Sequence, residues 1–282
     1  MLDVKIHTFL TLCQVMNYRK TAEVCNMTQP AVTQHIHGLE SLYGVKLFRY
    51  NGRVLTKTPE CLRLEQHAQA VVYNETAFQQ GLIPNQKRRL AIGATKTIGE
   101  YVLDDLLLYL LDDTSLELEI IVENTHVLLQ MLNNLELDFV MLEGHFDKTH
   151  YGYRHMRQEE LVGICAVDHP FANRTITMGE LFSQHLFLRE AGSGTRSVFE
   201  THLLQHNLTL QHFPSKTVLS SFKLIEHVVA LGRGISFVYQ TIAIKNDDLA
   251  TFRLEQGNIS HEFNYVFLKD GAIRNFIDTL PL

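Results

Sequence analysis

The stretch Asn26-Met-Thr-Gln-Pro-Ala-Val-Thr-Gln-His-Ile-His-Gly-Leu-Glu40 constrains the chain most, because it reads as a helix whose two faces require different surroundings. Thr28 is a good N-cap, and Pro30 suits the first turn, where a missing N–H costs nothing. Ala31, Val32, Ile36 and Leu39 recur at helical spacing as an apolar stripe. The opposite face carries Gln29, Thr33, Gln34 and His37, side chains that hydrogen-bond base edges and phosphates; Gln pairs bidentately with adenine. Alone, the segment fits an ordinary amphipathic surface helix as well as a DNA-reading one. Its neighbours shift the balance.

Upstream, Val4, Phe9, Leu10, Leu12, Cys13 and Met16 predict an amphipathic helix over residues 4–16, and a short second helix runs from about Arg19 to Val24. Cys25-Asn26-Met27 then connects tightly into the third, a helix-turn-helix arrangement with Arg19 and Lys20 placed to meet phosphate. Downstream, Gly44 ends the helix, and Arg49-Tyr-Asn-Gly-Arg53 places an Asn-Gly hairpin turn between basic residues before Val54–Thr58 returns as a strand. This predicts a wing whose Arg49 and Arg53 reach the sugar-phosphate backbone or a minor groove.

A net charge of −6 argues against a polyanionic partner, but the charge is unevenly divided. Residues 1–89 hold eleven Lys and Arg against six Asp and Glu, a net of +5, whereas the remainder holds fourteen against twenty-five, a net of −11. A basic amino-terminal module on an acidic body is the asymmetry of a chain that meets double-stranded DNA at one end. The 282 residues, 45% hydrophobic and 20% charged, are enough for two or more soluble domains. The start of the sequence has no basic segment followed by an apolar run, and no stretch approaches eighteen uncharged apolar residues, so a cytoplasmic protein without a membrane partner is expected. The four cysteines lie far apart without a C-x-x-C pair; no disulfide framework, metal site or cofactor is expected, and Cys13 and Cys25 read as small core residues.

From Pro59 to about Leu82, Leu64, Val71 and Phe78 recur every seven residues with Ala68 between them. This predicts a dimerisation helix roughly 35 Å long. The competing arrangement is packing on its own domain. Gly81, Pro84 and Asn85 end the helix and begin a linker. Arg89–Ala94 reads as a strand, followed by a helix from about Ile98 to Leu111, a strand at Leu116–Val122, a helix capped by Thr125 and reaching Leu135, and a strand at Asp138–Leu142. Glu160–Val167 and His185–Arg189 start a second such series, with helices near Thr195–His206 and Phe222–Leu231 and a strand at Ile235–Val238. Strands alternating with helices indicate βαβ units and a parallel sheet.

Thr28-Gln-Pro-Ala-Val-Thr-Gln-His-Ile, Leu39-Glu40, Gly44, Leu47-Phe48 and Thr58-Pro-Glu60, together with Glu136-Leu-Asp138, Asp168-His-Pro170 and Gly232-Arg-Gly234-Ile, give the chain a resemblance to the LysR-type transcriptional regulators along nearly its whole length. The resemblance implies an α/β protein: a winged helix-turn-helix over 1–58, a linker helix over 59–84, a hinge at 85–88 and an effector domain over 89–282. That domain would resemble periplasmic solute-binding proteins, with subdomain I at 89–162 and 265–282 and subdomain II at 163–264, and crossings near Glu160–Gly163 and Phe263–Phe267. It also implies a dimer or tetramer of the chain and a small-molecule effector that changes how the protein bends DNA. The sequence departs from the family pattern at Tyr50, where an arginine is usual, at Lys57, where leucine is common, at Cys61, where glycine is usual, and at His37, where a basic residue is frequent. These changes put sequence preference in doubt.

Two loops are equipped to hold a ligand. Thr95-Lys96-Thr97 follows the first strand and opens a helix, where free N–H groups and the positive end of the dipole attract an anion. Arg189-Glu-Ala-Gly-Ser-Gly-Thr-Arg196 repeats the device, with Gly192 and Gly194 allowing close backbone approach and Ser193, Thr195 and Arg196 supplying donors. Plain helix capping explains either loop alone; the two in matching positions predict an anionic effector between the subdomains. Glu143 and Glu190 oppose this unless Lys96 or Arg196 neutralises them. The Ser-Gly-Thr-Arg loop also resembles the branch of the family that controls sulfur-assimilation and carbon-fixation operons, which implies a sulfur oxyanion or a small phosphorylated metabolite. An effector domain used only for oligomerisation, a free solute-binding protein and an enzyme are the alternatives. For the last, Gly192–Arg196 is neither G-x-S-x-G nor a phosphate-binding P-loop.

Overall fold

Each of the first helices begins where a short polar side chain closes an open backbone N–H. In a computed structural model that describes residues 3–82 and 87–281, the side chains of Asp3, Asn17 and Thr28 accept from the N–H groups of Lys5, Lys20 and Ala31. They start α1 (Val4–Val15), α2 (Tyr18–Val24) and α3 (Gln29–Tyr43). Pro84 and residues 85 and 86 of the expected hinge lie outside the described residues. The chain divides into two compact units, residues up to Arg88 with Leu268–Asn275, and Arg89–Phe267 with the segment from Phe276.

In the first unit the three helices bury Phe9, Leu12, Ala22, Val32, Ile36 and Leu39 around one core. Each of these side chains other than Ala22 contributes about 1.5–3 kcal/mol of burial. β1 (Phe48–Asn51) and β2 (Val54–Lys57) pair antiparallel, with Asn51 opposite Val54, so the turn residues are Gly52 and Arg53. The turn therefore sits one residue later than the Asn-Gly reading. Gly52 takes φ +62° and Arg53 keeps a negative φ, the pattern of a two-residue loop with glycine at its first central position. The correction puts Arg53 at the tip of the wing.

α4 (Pro59–Gly81) is capped by Thr58, whose hydroxyl accepts from the Cys61 N–H and lies 2.7 Å from the Lys46 carbonyl. The predicted seven-residue stripe divides along this helix. Leu64 and Ala68 pack into the helix-turn-helix core, so the first half lies on its own domain, whereas Val71 and Phe78 are 36% and 63% exposed.

The second unit continues with β3 (Arg88–Ala94), α5 (Lys96–Tyr101), α6 (Asp104–Leu111), β4 (Leu116–Val122), α7 (Thr125–Asn133), β5 (Phe139–Leu142) and the long β6 (Tyr151–Ala166). Then come β7 (Thr175–Ile176), α8 (Met178–Phe182), β8 (Leu186–Leu188), α9 (Gly194–Gln205), β9 (Lys216–Val218), α10 (Phe222–Ala230), β10 (Ile235–Tyr239), α11 (Gln240–Ala243), β11 (Leu249–Leu254), β12 (Ile259–Leu268) and α12 (Ile273–Thr279). The strands follow the order β4-β3-β5-β12-β6-β10-β8-β9, with β11 beside β6. β3 runs parallel to β5, and β8 runs parallel to β9 and β10. Between these two parallel groups, β12 is antiparallel to β5 and β6 is antiparallel to β10. The chain thus passes between the groups along β6 and β12. Across β6 and β12, Gly152 lies by Phe267 and Gln158 by Ser260, so the two parallel groups run in opposite senses and the carboxyl ends of β3, β5 and β8 face one another.

Three local readings change. The helix expected over 98–111 is two, because Asp104 and Asp105 provide a fresh acidic first turn after Val102-Leu103. Asn124 caps α7 by accepting from the Val127 N–H, leaving Thr125 in the first turn. β6 starts at Tyr151, nine residues before Glu160, since its early part is polar and half-exposed and shows no apolar run.

Candidate DNA-binding face and effector site

Gln29, Pro30, Gln34 and His37 are exposed on one face of α3, and Thr33 beside them donates its hydroxyl to the Gln29 carbonyl at 3.1 Å. Arg49 and Arg53 are exposed on the wing, as is Tyr50. On α2, Lys20 is exposed and Arg19 makes a 3.4 Å surface ion pair with Glu23, a contact worth little in water. The wing is aligned by Glu40 at the end of α3, which accepts from Lys46 Nζ at 2.6 Å and the Leu47 N–H at 3.0 Å. Burial opposes the charge on Glu40, but these two donors hold its carboxyl below the usual range. Lys57 is not directed at phosphate: both Glu65 carboxylate oxygens accept from it at 2.8 Å. Cys61 is buried with its sulfur 3.8 Å from that of Cys13.

In the second unit the predicted ligand residues separate into a buried cluster and an open cavity. Thr95 and Thr97, at the end of β3, both donate hydroxyls to Glu143, which follows β5; the Thr97 bond is 3.0 Å. Thr195 in α9 lies 3.3 Å from Thr97, and the Tyr239 hydroxyl donates to the Glu143 carbonyl at 3.3 Å. A Cβ on Gly194 would stand 3.1 Å from Gly144 Cα and 3.3 Å from the Glu143 carboxyl carbon, so the two loops meet backbone to backbone. Burial pushes the Glu143 carboxyl above its ordinary value, a rise that the threonine hydroxyls and Arg189 only partly offset.

Lys96 donates to the Ser220 carbonyl at 3.1 Å and stands 3.5 Å from Glu190. Glu190 is clasped by its neighbour Arg189 through two bonds of 2.9 and 3.0 Å; burial opposes its charge, and Arg189 and Lys96 hold its carboxyl below the usual range. Arg196 bonds to Glu200 at 2.9 Å and to the Arg189 carbonyl at 3.3 Å, so it neutralises Glu200 and not Glu190. The neutralising cation that sequence reading missed is Arg189, buried under the Phe222 ring with its guanidinium 4.0 Å from the centroid.

A cavity of about 360 Å³ opens outside the Gly144–Gly194 contact, lined by Thr125, His126, His145, Ser193, Arg196 and Ser197 among others. The N-terminal ends of α7 and α9 both contribute to it, and the Thr125 hydroxyl is buried with no hydrogen-bond partner among the described residues. Ser193, at the cap position of α9, makes no capping bond. Thr125, His126, His145 and Ser197 were not among the sequence-predicted residues. The nearest signal was Thr125 read as a cap.

Residues 4–62 match the bacterial regulatory helix-turn-helix domain of the lysR family, and residues 85–281 match the LysR substrate binding domain. The chain belongs to the LysR family. It is a LysR-type DNA-binding transcriptional regulator with an effector-binding domain. The HTH-type transcriptional regulator CysL of Bacillus subtilis is 25% identical over 269 residues, covering 93% of this chain and 89% of that one. A probable RuBisCO transcriptional regulator of Thalassiosira pseudonana is 22% identical, covering 89% and 85%. These relatives agree with the resemblance to the sulfur-assimilation and carbon-fixation branch. Among solved structures, the regulatory domain of CcmR from Synechocystis PCC6803, in complex with 2-PG, superposes with a TM-score of 0.59 at 22% identity, covering 67% of this chain and 94% of that one.

Further bonds in this LysR effector domain join residues distant in sequence. The Tyr101 hydroxyl donates to Glu226 at 2.6 Å, and Lys245 donates to the Tyr101 carbonyl at 3.0 Å. Among the described residues no group of three or more His, Cys, Asp or Glu side chains is arranged to hold a metal, and no helix is long and apolar enough to cross a membrane.

Proposed function

We propose that this regulator senses a small oxyanion or phosphorylated carboxylate in the cavity between the amino ends of α7 and α9. The observation that carries the reading is the buried Thr125 hydroxyl, without a partner among the described residues and adjacent to two helix amino termini, where backbone N–H groups and dipoles favour negative charge. Ser193, Ser197 and Arg196 supply further donors. The 2-PG bound by CcmR is a ligand of this chemistry. Glu143 serves as an internal partner for Thr95 and Thr97: its carboxyl, whose proton affinity burial raises, occupies the hydroxyls that an entering anion would otherwise engage. Thr95, Lys96, Thr97, Glu190 and Thr195 then shape the inner wall, and Ser193, Gly194 and Arg196 touch the ligand.

Subdomains over 89–162 with 265–282 and over 163–264 would carry the two sides of this site, behind a DNA-binding module over 1–58 and a linker over 59–84. Gln29, Thr33 and Gln34 read bases. Arg19, Lys20, Arg49 and Arg53 neutralise phosphates, with Thr28 and Pro30 setting the start of the helix. Self-association through α4 brings two such modules to one operator in the cytoplasm. The named relatives are transcriptional regulators, which supports binding without turnover. Contact between Gly144 and Gly194 favours a second reading, in which the domain stays closed and serves assembly alone. Isothermal titration of the full chain with sulfate, sulfite, phosphate and 2-phosphoglycolate decides between them. At least one should bind, and Thr125→Val should weaken it about tenfold, the value of one buried hydrogen bond to a charge. If none of the four gives heat, the sensor reading is wrong.

A further inference from the structure

Gly144 and His145 also form a wall of a second cavity, of about 340 Å³, whose chemistry is opposite to that of the first. Its most buried polar side chain is Asn264 on β12, 1% exposed. Asn264 Nδ2 donates to the Glu262 carbonyl at 3.3 Å, which assigns the amide and leaves Oδ1 as a buried acceptor with no partner among the described residues. His261 Nδ1 lies 3.1 Å from the same carbonyl. A carbonyl only accepts, so Nδ1 carries the proton, and in the neutral ring Nε2 is an acceptor. Burial and the nearby His145 and Lys148 hold His261 below its ordinary value, outweighing the Glu262 contacts that raise it. Gln158 spends its Nε2 on the Ser260 hydroxyl at 2.7 Å, which leaves its oxygen as a third acceptor. At the half-exposed edge, Lys148 and Glu262 form a 2.9 Å ion pair.

The cavity thus offers acceptors inside and, at its edge, the Lys148 ammonium paired with the Glu262 carboxylate. That arrangement repels a simple anion and suits a ligand with a donor-rich ammonium at one end and a carboxylate at the other. We propose that this cavity binds a small α-amino acid, its ammonium directed at Asn264 Oδ1 and His261 and its carboxylate at Lys148, independently of the anion held in the first cavity.

Isothermal titration of the full chain with L-alanine tests this, with propionate as the probe that keeps the carboxylate and lacks the ammonium. L-alanine should bind at least about tenfold more tightly than propionate. Asn264→Leu should weaken L-alanine about tenfold, and Lys148→Met severalfold, while phosphate binding changes by less than about twofold in both. Lys148 is half-exposed, so its variant keeps the test decisive if Asn264→Leu folds poorly. Absence of heat with L-alanine at about 10 mM, propionate binding as tightly as L-alanine, full affinity in Lys148→Met, or displacement of L-alanine by phosphate would each overturn the proposal. Loss of phosphate binding alone would leave it standing and overturn only the anion reading.

Discussion

Glu143 links stability to the proposed ligand site. Its carboxyl is buried against two threonine hydroxyls, and burial lifts its proton affinity above that of the unfolded chain. The folded protein therefore holds a proton that the unfolded chain releases in the ordinary carboxylate range. Stability that is complete below the unfolded value is lost as pH rises through the folded one. Glu143→Gln keeps the shape and removes the titration. The variant should gain melting temperature at pH 8 over the parent, by about 2–4 °C for each kcal/mol recovered, and the gain should vanish near pH 4. Differential scanning fluorimetry across that range checks it; an effect of equal size at both pH values would mean that the carboxyl stays at its ordinary value.

The elements differ in how much of their structure was written locally. Asp3, Asn17, Thr28 and Thr58 each cap a helix through an N–H two or three residues away, so the helix-turn-helix and the start of α4 were legible from adjacent residues. The wing was legible as a hairpin but read one residue out, because register is set by pairs such as Phe48 with Lys57 and not by the turn dipeptide alone. The Thr97 to Glu143 bond spans 46 residues and the Lys57 to Glu65 pair joins a strand to a helix. No local pattern encodes either partner choice. That distinction separates two lysine and arginine positions only four residues apart. Arg53 is exposed at the wing tip, where the proposed DNA contact would meet phosphate, whereas Lys57 is paired with Glu65. Arg53→Ala should lower operator affinity for all sequences and reduce the salt slope by about one unit, and Lys57→Ala should lower stability and leave the slope unchanged. Fluorescence anisotropy at several salt concentrations distinguishes them. Equal slope changes in the two variants would show that Lys57 leaves Glu65 on binding DNA.

At the scale of the molecule, α4 carries an apolar surface that its own domain does not use. Its first half contributes Cys61, Leu64 and Ala68 to the helix-turn-helix core, and Leu62, Val71, Phe78 and Leu82 remain exposed. Farther along, Asn74 accepts from the Ala272 N–H at 2.7 Å and donates to the Asp270 carbonyl at 3.1 Å, which fixes the turn between β12 and α12 beside the helix. Phe78 and Leu82 lie beyond this tie and are exposed. A helix about 35 Å long gains most of its stability from packing, so these side chains call for a second helix. Two copies in antiparallel or parallel contact would place two recognition helices on one duplex, and the tie between them raises effective concentration at the second half-site. Phe78→Glu puts a charge into that contact without touching the helix-turn-helix core. Sedimentation equilibrium should then find the monomer at concentrations where the parent is a dimer, and operator affinity should fall by at least about a hundredfold with single half-site affinity unchanged. A Phe78→Glu protein that remains dimeric and binds its operator as the parent does would place the contact between copies on another face.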